Sequence, residues 1–292
     1  MKTKHWIAFI ALGVIWSSSF LWIKIGVQEA SPMVLVAFRM LFGALTAAAV
    51  AIYQKLEWPR DWQTWRTYLI LGPTSLAIPI FLISWGETSI DSAVASILNA
   101  TVPLFTLVIA HYFLHDDKMT QQKVIGLLTG FAGIIILLLE DLMNIKQSSI
   151  LGEGAVILAS LFYAASAVYA RKATVHVQGA VRGAAPLIIA TLFMWLLGPV
   201  MEQPFSIPSL PITWVAALWL GVLGSGIAMI LNYYLLHEIG PTRTVLVTYI
   251  FPPGGVLLGV IFLNESLTWQ LFVGGFLVVA SLVIVNWKKR EA

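Results

Sequence analysis

The chain has no cysteine. Disulfides, thiolate metal centres and cysteine nucleophiles are therefore excluded, and the redox compartment leaves no mark on the sequence. Charge is also scarce. Only 11% of the 292 residues are Asp, Glu, Lys or Arg, against roughly 25% in ordinary soluble domains. So few charges cannot clothe a water-soluble globule of this length. The net charge of +3 lies scattered or at segment ends, which does not indicate nucleic-acid binding. A Walker-type Gly-x-x-x-x-Gly-Lys-Ser/Thr is absent, so the chain does not hydrolyse ATP. There is no His-Glu-x-x-His, no Ser/His/Asp grouping and no cofactor motif.

What is present is apolar: 59% of the residues are hydrophobic, in long continuous runs. A disordered chain needs the opposite bias. Runs without period-two alternation point to helices rather than membrane strands. A spanning helix needs about 20 apolar residues, so ten would use roughly 200 and leave short loops. Ten runs bounded by charge, Pro or Gly are expected to be helices, at 6–26, 33–53, 67–86, 92–114, 122–139, 150–171, 182–200, 213–236, 243–263 and 269–287. Lys2 and Lys4 before the first run resemble the start of a signal peptide. That run is long enough to span, ends in no small-x-small cleavage site and is followed by Lys24, so it is expected to stay as a helix.

Orientation follows from the Lys/Arg bias. With the N-terminus inside, the inner segments hold Lys2, Lys4, Lys55, Arg60, Arg66, Lys118, Lys123, Arg171, Lys172, Arg182, Arg243, Lys288, Lys289 and Arg290. The outer side holds only Lys24, Arg39 and Lys146. Both termini are expected in the cytoplasm, in a cell (inner or plasma) membrane. Trp6 and Trp287 stand at the ends of the first and last helices as interfacial anchors. Trp58, Trp62 and Trp65 have helical spacing beside Arg60 and Arg66, which predicts an anchor lying on the membrane surface.

The second half repeats the first. Pro103 and Pro252 are 149 residues apart. Each precedes an apolar stretch ending in Phe-Leu (Phe113-Leu114, Phe262-Leu263), then an acid (Asp116, Glu265), then a helix-starting threonine (Thr120, Thr268). Gly126 matches Gly274 and Gly72 matches Gly221. Trp16, Ser19, Trp22 and Lys24 match Tyr163, Ser166, Tyr169 and Arg171. Helices one to five (1–146) thus repeat as six to ten (147–292). Five is odd, so the second copy enters the membrane inverted. The charges agree: loop 54–66 carries three basic residues and its counterpart 201–212 none, and loop 115–123 carries two and its counterpart 264–268 none. Inverted repeats point to carriers that work by alternating access, or to an ancestral duplication in a membrane protein that is not a transporter.

The chain resembles the drug/metabolite transporter superfamily, in particular its ten-helix EamA-domain exporters. The features that carry the resemblance are Trp16-Ser17-Ser18-Ser19-Phe20, Phe38-Arg39 and Ala100-Thr101-Val102-Pro103-Leu104, with the second-copy segments Tyr249-Ile250-Phe251-Pro252-Pro253 and Phe262-Leu263-Asn264-Glu265. The resemblance covers almost the whole chain. It implies an all-α membrane protein that exports small metabolites, amino acids among them. A lipid flippase, or a membrane enzyme or receptor, is the alternative.

Polar groups inside a bilayer are expensive, so their positions are informative. Ser92, Ser96, Asn99, Pro103 and Thr106 step along one face of helix four, matched in helix nine by Thr248, Tyr249 and Pro252. That face either bonds a neighbouring helix or lines a cavity; for Asn99 the cavity is expected. Pro103 and Pro252 each free a carbonyl one turn earlier and are expected to be hinges beside a central site, or simple packing kinks. Trp16 and Ser19, Tyr163 and Ser166, Pro79, and Asn232 and Tyr233 complete the expected small-molecule site. Trp85 fits an interfacial anchor. Glu87 is a proton-coupling carboxylate, a contact for a substrate amine or a solvated helix end. Arg39 is a carboxylate fork, a snorkelling side chain or a structural partner. His111 is not expected to be a pH switch. Asp116, Thr120, Glu265 and Thr268 are expected to cap helix starts. Gly126, Gly130 and Gly133 form a small-x-x-x-small surface for packing within one chain or between two, leaving monomer and homodimer both open. The partners expected are a small-molecule substrate and the lipid bilayer.

Overall fold

The computed structural model describes residues 2–113, 119–143, 147–173, 181–202, 205–239 and 244–286. All regular structure among them is helical: α1 (Thr3–Gly26), α2 (Pro32–Tyr53), α3 (Trp62–Gly72), α4 (Ile78–Gly86), α5 (Ser92–Asn99), α6 (Val102–Phe113), α7 (Gln121–Met143), α8 (Gln147–Ala173), α9 (Val181–Met201), α10 (Pro211–Leu218), α11 (Ala228–Ile239), α12 (Phe251–Leu263) and α13 (Trp269–Asn286). These make eight helical spans long and apolar enough to cross a membrane, and two shorter apolar helices, Val247–Leu263 and Trp269–Val285, in the ninth and tenth places. The protein is an all-α, multi-pass membrane protein.

Four spans are interrupted. A π-helical turn, Pro73–Ala77, joins α3 to α4, and a longer one, Trp219–Ile227, joins α10 to α11. The fourth span breaks at Ala100 and Thr101, between α5 and α6. The ninth opens with 3₁₀ turns, Val245–Ile250, before α12. Pro103 and Pro252 are expected as hinges or packing kinks that free a carbonyl one turn earlier. Each proline sits in the first turn of the restarted helix, where its missing N–H removes no hydrogen bond of that helix, and the interruption falls just before it. The first and second halves share other details at the 149-residue offset. The Trp65 indole donates to the Pro59 carbonyl at 2.9 Å, and the Trp214 indole donates to the Pro208 carbonyl at 3.0 Å.

The tryptophan segment is not a surface helix. Residues 56–60 are non-helical, after a left-handed Lys55 (φ 52°). Trp58 therefore lies outside any helix, and Trp62 and Trp65 belong to the start of the third span. Asp61, not part of the aromatic pattern, caps that span by accepting from the Thr64 N–H at 2.7 Å.

Between helices in lipid, association rests on close packing rather than on a hydrophobic drive. Gly72 lies against Ile189 and the Pro186 carbonyl of α9, and its counterpart Gly221 against Phe42 and the Arg39 carbonyl of α2. The glycine run of α7 packs within the chain: Gly126 meets Val285, Gly130 meets Ser281, and Gly133 meets Gly274, all on α13. This α7–α13 seam accounts for the small-residue surface without a second copy. Leu12, Phe20, Leu98, Leu104, Leu220 and Leu282 are buried in one cluster that draws on both halves of the chain.

Candidate substrate cavity

Helix interruptions leave room and expose polar backbone groups, and the four interrupted spans surround the main cavity. It has a volume of about 400 Å³ and a wall drawn from α1, α2, α8, α9 and the four interrupted spans. Eight expected site residues line it: Trp16, Ser19, Arg39, Asn99, Tyr163, Ser166, Asn232 and Thr248. The α2 and α9 contributions (Arg39, Gly183 and Pro186) enlarge the wall beyond the six helices that the polar faces suggested.

The polar groups are held in place by specific bonds. The Trp16 indole donates to the Gly224 carbonyl at 3.1 Å, inside the π-helical turn of the eighth span. Arg39 donates through Nε to Ser225 Oγ at 3.1 Å, in the same turn. The rest of this guanidinium, only 6% exposed, has no carboxylate within ion-pair distance among the described residues. Asn99 closes α5, and its Oδ1 is buried without a hydrogen-bond partner among the described residues. Pro103 has no N–H to offer the Asn99 carbonyl either. Ser166 Oγ donates to Thr74 Oγ1 at 3.1 Å, beside the first π-helical turn. Trp16 meets Phe251 edge to face at 5.9 Å, and both rings line the wall. The site is a mostly apolar chamber in which, among the described residues, the Arg39 guanidinium has no carboxylate partner and Asn99 Oδ1 has no donor.

Other expected residues lie elsewhere. Pro79 is buried in α4 and does not line the cavity. Tyr249 turns away, its hydroxyl donating to the Leu282 carbonyl of α13. The side chain of Tyr233 lies outside the described residues, as do Asp116 and Trp287. Pro103 and Pro252 do not line the wall, but the residues before them, Val102 and Phe251, do. Ser225, Gly224 and Phe251 were missed. The 149-residue offset pairs Ser225 with Leu76, Gly224 with Ser75 and Phe251 with Val102, and all six line the cavity.

The wall runs toward the end of the bundle that carries the start of α1, through Tyr68, Ala170 and Gly183. The opposite, far end is tied shut. Lys24 Nζ donates to the Glu87 carbonyl at 2.8 Å and the Ile90 carbonyl at 2.7 Å. Glu265 accepts from the Ser92 and Ala93 N–H groups at 2.7 and 3.0 Å, so it caps α5 and not the helix that follows it. Thr120 and Thr268 do cap their own helices, accepting from the Lys123 and Leu271 N–H groups. Glu29 accepts from the Ser209 N–H at 2.6 Å, Ser209 Oγ at 2.7 Å, the Leu210 N–H at 2.9 Å and the Thr213 hydroxyl, capping α10 from the α1–α2 loop. Those donors, the Ser209 and Thr213 hydroxyls foremost, hold the Glu29 carboxyl down to about 2. At the near end His5 and Glu238 lie 2.9 Å apart, and that hydrogen bond, reinforced by Lys4, lowers the Glu238 carboxyl. His111 accepts from the Met119 N–H at 3.1 Å, a local structural bond.

Comparison with known proteins agrees with this architecture. The profile of the EamA-like transporter family matches residues 4–139 and again residues 150–287. The "Uncharacterized transporter YoaV" of Bacillus subtilis (strain 168) is 23% identical, over 96% of this chain and 95% of its own length. The "Uncharacterized inner membrane transporter YedA" of Escherichia coli (strain K12) is 26% identical, over 97% and 90%. One protein crystal structure superposes on the whole chain with a TM-score of 0.70 at 18% identity, covering 100% of each chain, which shows a shared fold. The two matches together span nearly the full sequence, and the chain belongs to the EamA-like transporter family.

Proposed function

We propose that this transporter exports amino acids or similar small metabolites by alternating access, with residues 1–146 and 147–292 as inverted halves that rock about the cavity. The observation that carries the substrate reading is the presence in one apolar chamber of an Arg39 guanidinium with no carboxylate partner and an Asn99 Oδ1 with no donor among the described residues. A guanidinium holds a carboxylate in a two-point fork, and an amide oxygen accepts from an ammonium. Trp16 and Phe251 suit an apolar body between the two. The cation bias of the near-end loops supports cytoplasmic termini, so the cavity faces the cytoplasm. An inner-membrane location fits the printed description of the Escherichia coli relative. Pro103 and Pro252, at matching breaks, serve as the bending points.

The test is uptake by the purified protein in liposomes, with a panel of labelled amino acids and small metabolites. At least one compound shows saturable uptake, and Asn99→Ala lowers its rate by about tenfold, the loss of one charge-assisted hydrogen bond. Uptake unaffected by Asn99→Ala contradicts the central site. Labelled lipid crossing leaflets while no solute moves replaces export by lipid flipping.

A further inference from the structure

Glu87 lies outside the cavity and is not the solvated helix end that is one reading of the sequence. Glu87 ends the third span, its residue wholly buried and both carboxylate oxygens without a hydrogen-bond partner among the described residues. It stands one turn beyond Ile83, which lines the far part of the cavity wall, and does not itself line the wall. Charges face it from several sides: Lys24 of α1, Glu265 of the α12–α13 loop and Arg39 of α2. On α8, buried Glu153 follows Gly152, which touches Gly86. Asp91 shares a small cleft with Lys24 and Glu265.

Lys24, one of the two cations facing it, is already engaged. The Lys24 ammonium donates to the carbonyls of Glu87 and Ile90, and no hydrogen bond from the described residues reaches the Glu87 carboxyl. An ionised carboxylate buried with no donor is strongly disfavoured, and Glu265 adds repulsion. A neutral carboxylic acid fits the site. The bonds that surround it are those that close the far end.

We propose that Glu87 is a proton-binding site linked to the opening of the far end. With that end closed, the carboxyl holds a proton. Opening parts α1 from the 87–90 turn and admits water. The proton then leaves to water on the far side, and Lys24, freed from the two carbonyls, becomes the counter-charge. Acid on the far side therefore favours the closed form. The linkage rests on the alternating-access reading; the proton site does not.

The absence of native cysteine allows a clean test. Infrared spectra of the full-length protein are recorded at neutral pH, with and without Glu87→Gln. A protonated-carboxyl C=O band present in the parent and lost in Glu87→Gln is expected; its absence from the parent overturns the site. Linkage is read from Ile23→Cys, in the cavity wall, labelled by a membrane-impermeant maleimide applied at the far end. Ile207→Cys, 70% exposed in the far-end 205–210 loop, identifies vesicles of that orientation and corrects for the reagent's own pH dependence. Corrected labelling is expected to fall by about tenfold from pH 8 to pH 5, within what one linked proton allows. In Glu87→Gln it stays low at both pH values, while labelling from the near end is unchanged. A flat parent, or the parental slope in Glu87→Gln, overturns the linkage. Absence of far-end labelling at every pH, with the infrared band intact, overturns alternating access and the linkage with it, and leaves the proton site standing.

Discussion

Arg39→Ala is expected to reduce uptake of carboxylate-bearing solutes by about 10–100-fold, because a hydrogen-bonded charge partner contributes about 1.5–3 kcal/mol. The guanidinium is buried and anchored at one corner only, by Nε on Ser225 Oγ. Its other donors have no carboxylate within ion-pair distance among the described residues, which leaves them open to a solute carboxylate. Initial rates for phenylalanine and for phenylalanine amide separate this role from general damage to the site. The parent protein prefers the acid; Arg39→Ala loses that preference. Arg39→Lys keeps a point charge without the fork and falls between the two. Equal discrimination in all three proteins contradicts carboxylate recognition by Arg39.

The second large effect is on folding. Gly221→Val is expected to lower Tm by about 5–10 °C, since overpacking costs about 1–3 kcal/mol or more and each kcal/mol moves a protein of this size by about 2–4 °C. A Cβ at 221 would stand 2.5 Å from Phe42 Cβ and 2.9 Å from the Arg39 carbonyl oxygen. Neither is the loose end of a flexible side chain, so α2 and the eighth span must part. The same displacement would move Arg39 and Ser225, and uptake is expected to fall with stability. Gly72→Val meets Ile189 Cγ2 at 2.7 Å and the Pro186 carbonyl at 2.9 Å, and should behave alike. Gly154→Ala, with nothing within 4 Å, is the control and leaves Tm unchanged or slightly raised. Thermal unfolding in detergent, followed by tryptophan fluorescence, measures all three.

Hydropathy alone made the ten membrane segments legible, because apolar length is what a bilayer selects. The repeat made much of the cavity legible too. Asn99 and Thr248 stand 149 residues apart, Trp16 and Tyr163 stand 147 apart, and all four line one chamber. Tyr249 was grouped with Thr248, yet adjacent helical residues point about 100° apart and do not share a face. Thr248 took the cavity and Tyr249 the α13 side. The π-helical turns were invisible because an extra residue in one turn changes neither composition nor apolar length. They decide which groups of the eighth span meet the cavity: Gly224 and Ser225, bonded to Trp16 and Arg39. The helices that Glu29 and Glu265 cap were hidden for another reason. Each glutamate caps a helix more than 170 residues away in sequence, and local patterns register only caps on the neighbouring helix.

Movement of the far end during transport is the central claim, and clamping that end tests it most directly. Cysteines at Glu29 and Ser209, positions bonded to each other in the closed form, can be joined by a short bifunctional thiol reagent in a chain with no other cysteine. The unjoined double variant is expected to transport in liposomes and the joined one to stop, while each single variant treated with the same reagent keeps its rate. Undiminished transport by the joined protein would contradict alternating access.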